Sequence, residues 1–482
     1  MKKIKIALIF PVPMDLNRKD PRPMFASFAE PLGLLYIAGG LIEDGYEVSI
    51  LDHGATNYNF SQVLNWIKKQ DPDVIGISVL IRSFISGIQI ARLAKDWNPN
   101  ITIILGNYQT VCAEKILKKY NFIDFCVRGE GEDTIRELLP LIQTNNTKHE
   151  DFRGLIYRKN GIIKSTAPRK LIKDLDRFPI PDRKLLKGNK YKMSMGGIDI
   201  SNKKSGTIIM SRGCSFQCRF CPVNQRSWRH RSANNVIQEL ELMESEGYRE
   251  IMIMDDNFTI NPKWVKEICK NIIKNKIDLN FHCEARVEGT KEMYEYMNKA
   301  NCKTIFFGME SGSQRVLDYY QKDITISRCK IALKKARKAG IDILMASFIL
   351  GSPIEKISDI QNTIKFALSL DIEYAMFHIF EVFPGIKIWD ELIEQKKLDE
   401  NKYWETGVRV AELPFYNFNL DFLINIIRRT YKKFYSLGRP KFIFKQVVRS
   451  LKSKYRRDKL RNLAKDYRSS LRMLDSLSEK RF

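Results

Sequence analysis

The stretch SRGCSFQCRFCPV, residues 211–223, sets Cys214, Cys218 and Cys221 within eight positions of one another. Three thiols so close on one piece of chain share a task, and the spacing CxxxCxxC supplies no fourth. Structural zinc sites close a tetrahedron with four Cys or His ligands, usually as two pairs. No second CxxC lies nearby, and His230, nine residues past Cys221, is not at a usual finger spacing. An iron–sulfur cluster on three protein thiolates fits better, because one iron then stays open for a ligand that is not a side chain of this protein.

Outward from this stretch, strands and helices alternate from Thr207 to about Trp389. The strands read TIIMS, EIMIMDD, NFHCEAR, TIFFGME, DILMASFIL and YAMFHIF, with amphipathic stretches such as ANNVIQELELMESEG between them. Six strand–helix units predict a partial (β/α)6 barrel of the TIM type, with chemistry where the strands end. The cysteines sit in the loop after the first of these strands. Upstream, KIALIF, YEVSILD, DVIGISVLI, ITIILG and FIDFCVRG alternate with helical stretches up to about Leu141. Continuous apolar strands in such alternation predict an α/β, flavodoxin-like doubly wound domain. A hairpin, GLIYRKNGIIKS, and a proline-bearing linker, DRFPIPDRK, join the two runs. The boundaries expected are 1–145, 146–200 for hairpin and linker, 201–395 for the barrel, and 396–482 for a helical, basic C-terminal region.

At the cysteines the sequence resembles the radical S-adenosylmethionine enzymes, whose motif is CxxxCxΦC with an aromatic residue at Φ, here Phe220. The resemblance implies a 4Fe–4S cluster on Cys214, Cys218 and Cys221, whose open iron takes S-adenosylmethionine. Electron transfer then yields a 5′-deoxyadenosyl radical, so a one-electron donor such as flavodoxin or ferredoxin is implied as a partner. The likeness continues through the barrel. MDDNF carries Asp255, Asp256 and Asn257 at the second strand's end, Arg286 lies on the third, and GMESGS brings Glu310 and Ser311 at the fourth. FILGSP brings Gly351 at the fifth, and VFPG follows the sixth. Together with Phe220, these are the residues the resemblance implies for holding S-adenosylmethionine.

The N-terminal half resembles the cobalamin-binding domains attached to one branch of these enzymes. Ser78 and Leu80 supply SxL, Gly106–Asn107 stands where a GG is expected, and VRGEGEDT brings Gly129 and Gly131. These residues are implied to hold cobalamin. The DxHxxG of histidine-ligated domains is missing: the loop after the first strand reads PVPMDLNRKDPRP, and His53 follows the second strand instead. A methyl–cobalt centre without a strong lower ligand gives up its methyl group more readily, so the absence suits radical methylation. RRTYKKFYSLGRP, residues 428–440, resembles the ending of the branch that includes anaerobic porphyrin cyclases and hopanoid-modifying enzymes. Tyr431, Phe434 and Tyr435 within it have core spacing.

The implied function is a cobalamin-dependent radical enzyme that methylates an unactivated carbon of a small-molecule or lipid-like substrate. Cyclisation, ring contraction or oxygen insertion with the same cofactors is the alternative. A tRNA methylthiolating enzyme would need three further cysteines in the N-terminal domain, where only Cys112 and Cys126 lie, and nucleic acid is not the expected partner. A non-enzymatic iron–sulfur or corrin sensor would bind the cofactors without cleaving S-adenosylmethionine. Nine cysteines without regular spacing elsewhere suggest a reducing cytoplasm. The remaining cysteines read as structural, with Cys283 placed near the barrel interior. From Arg428 onward nineteen Lys or Arg face four acidic residues, which is +15 of the net +25. Such a tail suits nucleic acid, an anionic membrane surface or an acidic substrate, or simply a solvated basic terminus; for a lipid-like substrate the membrane fits, though the apolar face is thin.

Overall fold

The computed structural model describes residues 4–13, 29–144, 152–186, 188–189, 191, 194–195, 198–199, 203–223, 227–401, 417–435 and 440–460. Two compact units divide the chain, Met1–Tyr191 and Lys192–Phe482. Most of the loop after the first strand, the NNTKHE stretch and the last 22 residues, expected to continue the basic helix, lie outside the described residues.

In the first unit, strands β1 (Lys5–Phe10), β2 (Glu47–Asp52), β3 (Val74–Ser78), β4 (Thr102–Gly106) and β5 (Phe125–Val127) run parallel in the order β2-β1-β3-β4-β5. This is the expected flavodoxin-like order. β1, β3 and β4 are buried along their lengths, which is why they read as apolar runs and not as alternations. The hairpin, β6 (Leu155–Lys159) and β7 (Ile162–Ser165), was expected within the linker but extends this same sheet. β6 pairs antiparallel with β5 and covers what would be an open edge. Asn160 and Gly161, with φ of 51° and 75°, form the two-residue turn whose twist matches the strands.

In the second unit, β8 (Ser205–Ile208), β9 (Glu250–Ile253), β10 (Asn280–Ala285), β11 (Cys302–Glu310), β12 (Ile343–Leu350) and β13 (Tyr374–Ile379) form one parallel sheet in sequence order. The partial six-stranded barrel is as the pattern predicts. The first strand ends at Ile208, short of the TIIMS reading, because Met210 and Ser211 turn aside to the Asp255 carboxylate. Alternation divides each strand: Phe281, Cys283 and Ala285 of β10 pack outward with the helices, leaving His282 and Glu284 on the inner face. Cys283 therefore lies in the outer core beside Cys302 and not toward the interior, as expected from sequence.

A plug from the chain's C-terminal part closes the bottom of this barrel. Tyr455, on the helix Lys454–Leu460, packs with Met252, Phe306, Met345, Tyr374 and Met376. Buried Glu250 and His282 bond at 2.8 Å, with the Tyr455 ring 6.2 Å from the imidazole. Beside it Arg456, 2% exposed, bonds the fully buried Glu373, which also accepts two bonds from Arg337 at 2.8 and 2.7 Å. Burial works to raise the Glu373 carboxyl, but Arg337 and Arg456 outweigh it and hold it below its usual range.

Glu373→Gln would leave the buried Arg456 and the partly buried Arg337 without their anion. The expected cost is about 3–5 kcal/mol, read by urea denaturation at neutral pH. Asp371→Asn, which breaks the more exposed pair with Arg449, should cost about 1 kcal/mol or less. A depressed carboxyl stabilises above its unfolded pKa of about 4.3 and loses that stabilisation as pH falls through the folded value. Part of the wild-type acid destabilisation below about pH 4 should thus be missing in the Gln variant.

Candidate active site

The cysteine loop is fixed from both sides. On one side, Asp255 accepts from Met210 N at 2.8 Å and Ser211 Oγ at 2.6 Å, and Asp256 accepts from Gly213 N at 3.0 Å. On the other, Arg219 donates from its backbone N to Tyr320 O at 2.9 Å and from its side chain to Tyr319 O and Glu391. Phe220 meets Tyr320 edge-on at 4.9 Å. Gly213 supplies the turn into the loop with φ of 82°. His230, the alternative metal ligand, is packed between Trp228 and Trp264 at 4.8 and 5.4 Å.

Arg286 reaches the loop from the end of β10. Its Nη1 donates to Cys218 Sγ at 3.3 Å, its Nη2 to Lys322 O and Glu288, and its guanidinium lies 3.6 Å above the Phe216 ring. Burial pushes the Cys214 thiol up and the Cys221 thiol up to about 11, so both need an electropositive partner to act as thiolates. Among the described residues no three His, Cys, Asp or Glu side chains converge as ligands of one metal ion. Three thiolates of a polynuclear cluster bind different irons and need no such convergence. The donor set, three cysteines on one pinned loop with a guanidinium on one sulfur, fits an iron–sulfur cluster.

The expected cofactor residues divide into two groups. Asp256, Arg286 and Glu310 stand at the barrel mouth. Asp256 is solvent-exposed on the inner face, and Glu310, with φ of 61°, pairs with Lys322 at 2.7 Å and accepts from Ser347 Oγ at 3.2 Å. Asp255, Asn257, Ser311 and Gly351 are engaged within the protein. Asp255 is fully buried, and that burial pushes its carboxyl up to about 7. Asn257 Oδ1 accepts from Thr259 and from Arg286 N, while Ser311 Oγ bonds Thr363 at 3.1 Å. Gly351 has φ of 92°, which disfavours any side chain, and a Cβ there would come 2.7 Å from Leu423 Cδ1.

Three inner-face residues were not expected from sequence: Glu284, Ser347 and His378. Glu284 is reached by solvent yet crowded by protein; that crowding, then Glu310 and Asp256, raises its carboxyl. His378 is exposed at the far strand β13. Lys322, which anchors Glu310, was also missed. Period-two reading of NFHCEA and YAMFHI would have placed Glu284 and His378 on the inner face; Lys322 carries no such signal.

In the first unit the strand ends form a separate open edge. Asn107 has φ of 76° and ψ of −171°, a conformation essentially reserved for glycine. An asparagine thus keeps the backbone of the expected second glycine. Its Nδ2 donates to Ser78 Oγ at 2.9 Å and its Oδ1 accepts from Tyr108 N at 2.7 Å. A Cβ on Gly106 or on Gly129 (φ of 85°) would meet nothing within 4 Å, and Leu80 is 40% exposed. Gly131 caps the helix Glu132–Gln143. This open, glycine-lined edge with a hydroxyl and an exposed apolar side chain fits a bulky, partly polar macrocycle with a tail. His53 is spent elsewhere: its Nε2 donates to Tyr58 O at 2.8 Å and its Nδ1 faces Val12 N at 3.5 Å.

Residues 208–367 match the Radical SAM superfamily and residues 24–139 the B12 binding domain. Over 453 residues, 93% of this chain and 95% of the relative, the sequence is 32% identical to an uncharacterised methyltransferase of Pyrococcus horikoshii. It is 26% identical to the anaerobic magnesium-protoporphyrin IX monomethyl ester cyclase of Cereibacter sphaeroides, over 84% of this chain and 67% of that one. The fold is also that of the radical S-adenosylmethionine methyltransferase TsrM from Kitasatospora setae, with a TM-score of 0.68 at 17% identity, covering 82% of this chain and 76% of that one.

The Lys322–Glu310 pair, 7% and 8% exposed, offers a direct test of the barrel mouth. Lys322→Met should cost about 3–5 kcal/mol by leaving Glu310 buried and unpaired. Adding Glu310→Gln should recover most of that loss, read in a double-mutant cycle by urea denaturation. Asp255→Ala should orphan Met210 N–H and the Ser211 hydroxyl at about 1–3 kcal/mol, and lower the iron retained after reconstitution.

Proposed function

This chain belongs to the cobalamin-dependent radical S-adenosylmethionine enzymes, and we propose that it methylates an unactivated carbon of a small-molecule or lipid-like substrate. The observation that carries the reading is the pinned loop of Cys214, Cys218 and Cys221 at the mouth of a parallel barrel, with Arg286 donating to the Cys218 sulfur. When bound, the cluster and S-adenosylmethionine supply a hydrogen-abstracting 5′-deoxyadenosyl radical, and the cobalamin supplies a transferable methyl group.

In this reading the three cysteines hold the cluster, and Arg286 fixes the Cys218 sulfur and tempers its charge. Asp256 and Glu310 offer carboxylates to the ammonium and hydroxyl groups of S-adenosylmethionine, and Phe220 walls the loop. Asp255, Asn257, Ser311 and Gly351 act by positioning these groups. Glu284, Ser347 and His378 face the substrate from the inner wall. Ser78, Leu80, Gly106, Asn107, Gly129 and Gly131 hold the corrin and its nucleotide tail. Because Asn107 uses an acceptor site on Ser78 Oγ, that hydroxyl keeps its proton for an acceptor on the tail. No lower ligand to cobalt comes from His53.

The same reading sets the enzyme in a reducing cytoplasm, with flavodoxin or ferredoxin as electron donor and its basic C-terminus within reach of a membrane surface. Among the described residues no helix is long and apolar enough to cross a membrane. A second reading keeps both cofactors but cyclises, contracts a ring or inserts oxygen; the cyclase relative favours it.

The deciding measurement is anaerobic reconstitution with iron, sulfide and hydroxocobalamin, followed by dithionite and S-adenosylmethionine. Methyl transfer predicts both 5′-deoxyadenosine and S-adenosylhomocysteine, with both lost in Cys214→Ala. 5′-Deoxyadenosine alone would favour the second reading. Neither product, with iron and corrin both bound, would overturn the catalytic assignment.

A further inference from the structure

The helix Pro440–Lys452 has one face against the barrel and one turned away from it. Inward, Arg449 Nη1 bonds Asp371 at 2.7 Å, and Gln446, 9% exposed, accepts from Arg456. Outward stand Phe444, Val447 and Leu451, which are 69%, 54% and 72% exposed. Spacing of i, i+3 and i+7 aligns them in one stripe. Single exposed apolar residues are ordinary, but three aligned ones on one helix mark a contact surface.

Charge identifies what the stripe meets. The helix carries Lys441, Lys445, Arg449 and Lys452 and no acidic residue. At about 100° per residue, Lys445 and Lys452 lie together along one edge of the apolar stripe, and both are exposed. Exposed Lys454 and Arg457 follow on the next helix. A second copy of this face would cover the apolar stripe but offer Lys445 and Lys452 no anion, since the helix carries none. Nucleic acid would use the cations but has no use for the apolar stripe. An anionic bilayer surface uses both: apolar side chains enter the headgroup boundary while lysines meet lipid phosphates.

We propose that Phe444, Val447 and Leu451 seat the enzyme on anionic phospholipid, with Lys445 and Lys452 along one edge of the stripe meeting lipid phosphates. This deepens the membrane placement above and does not depend on the radical chemistry. The stripe lies on the helix that carries the barrel's plug partner Gln446, so docking here leaves the barrel mouth, at the opposite strand ends, free.

The test is sedimentation of the full-length reconstituted enzyme with vesicles of phosphatidylcholine containing roughly a third phosphatidylglycerol. Binding is expected to these vesicles, to weaken with added salt, and to be slight on phosphatidylcholine alone. Phe444→Ser with Leu451→Ser should reduce partitioning by at least about tenfold. Lys445→Glu with Lys452→Glu should reduce it too, with the melting temperature unchanged in both. Equal binding by wild type and the Ser variant overturns the proposal, as does equal binding to neutral vesicles. So does a wild-type dimer that the Ser variant breaks without any vesicle binding, which would make the stripe a self-interface. Binding that rises when the chain is cut after Leu460 would also overturn it, by assigning the stripe to the tail. 5′-Deoxyadenosine formation in solution, unchanged in the Ser variant, separates failed docking from failed chemistry.

Discussion

One guanidinium organises the barrel mouth. Arg286 bonds a cysteine sulfur, a backbone carbonyl and a carboxylate, and its Cζ stands 3.6 Å over the Phe216 ring. Its planar fork meets several acceptors in fixed directions while it also stands over a ring, which a lysine ammonium could not do. Through it the third strand, the cysteine loop and the segment at Lys322 form one body. The thiols beside it sit in a crowded, low-polarity setting, which raises Cys214 and Cys221.

The wall below this mouth is graded. The mouth is charged, with Glu310 and Arg286 paired and Asp256 exposed, the inner face beneath carries Glu284, Ser347 and His378, and the floor is methionine and aromatic, sealed by Tyr455. Radical chemistry needs a compartment that keeps water from the reactive species while letting a substrate enter from one side. The floor sealed by Tyr455 meets the second need, leaving the strand ends as the side of entry.

Much of this was legible in the sequence because it rests on local spacing. The thiol spacing, six apolar strands and the doubly wound order were each carried by residues close in the chain. What escaped depended on facing direction and distant contacts. Asp255 and Asp256 look equivalent in MDDNF, but neighbours on an extended chain point to opposite sides, so one is buried as a clasp and the other faces the interior. Gly351 is implied by its motif alone, and its neighbour Leu423, far along the chain, is seen only in the fold. Asn107 shows the reverse: the residue changed while the glycine-like backbone persisted, held by its bonds to Ser78 and Tyr108.

The plug at the barrel floor also sets an order of events in synthesis. Glu373 precedes Arg456 by 83 residues. At about 5–20 residues per second, the carboxylate leaves the ribosome several seconds before this partner exists. During that interval all six strands are present, yet the floor is open and its methionine-rich lining uncovered. The nascent barrel is thus a complete sheet with an unfinished base, the state in which a chaperone has most to hold. The barrel is closed only once the stretch bearing Tyr455 and Arg456 has emerged.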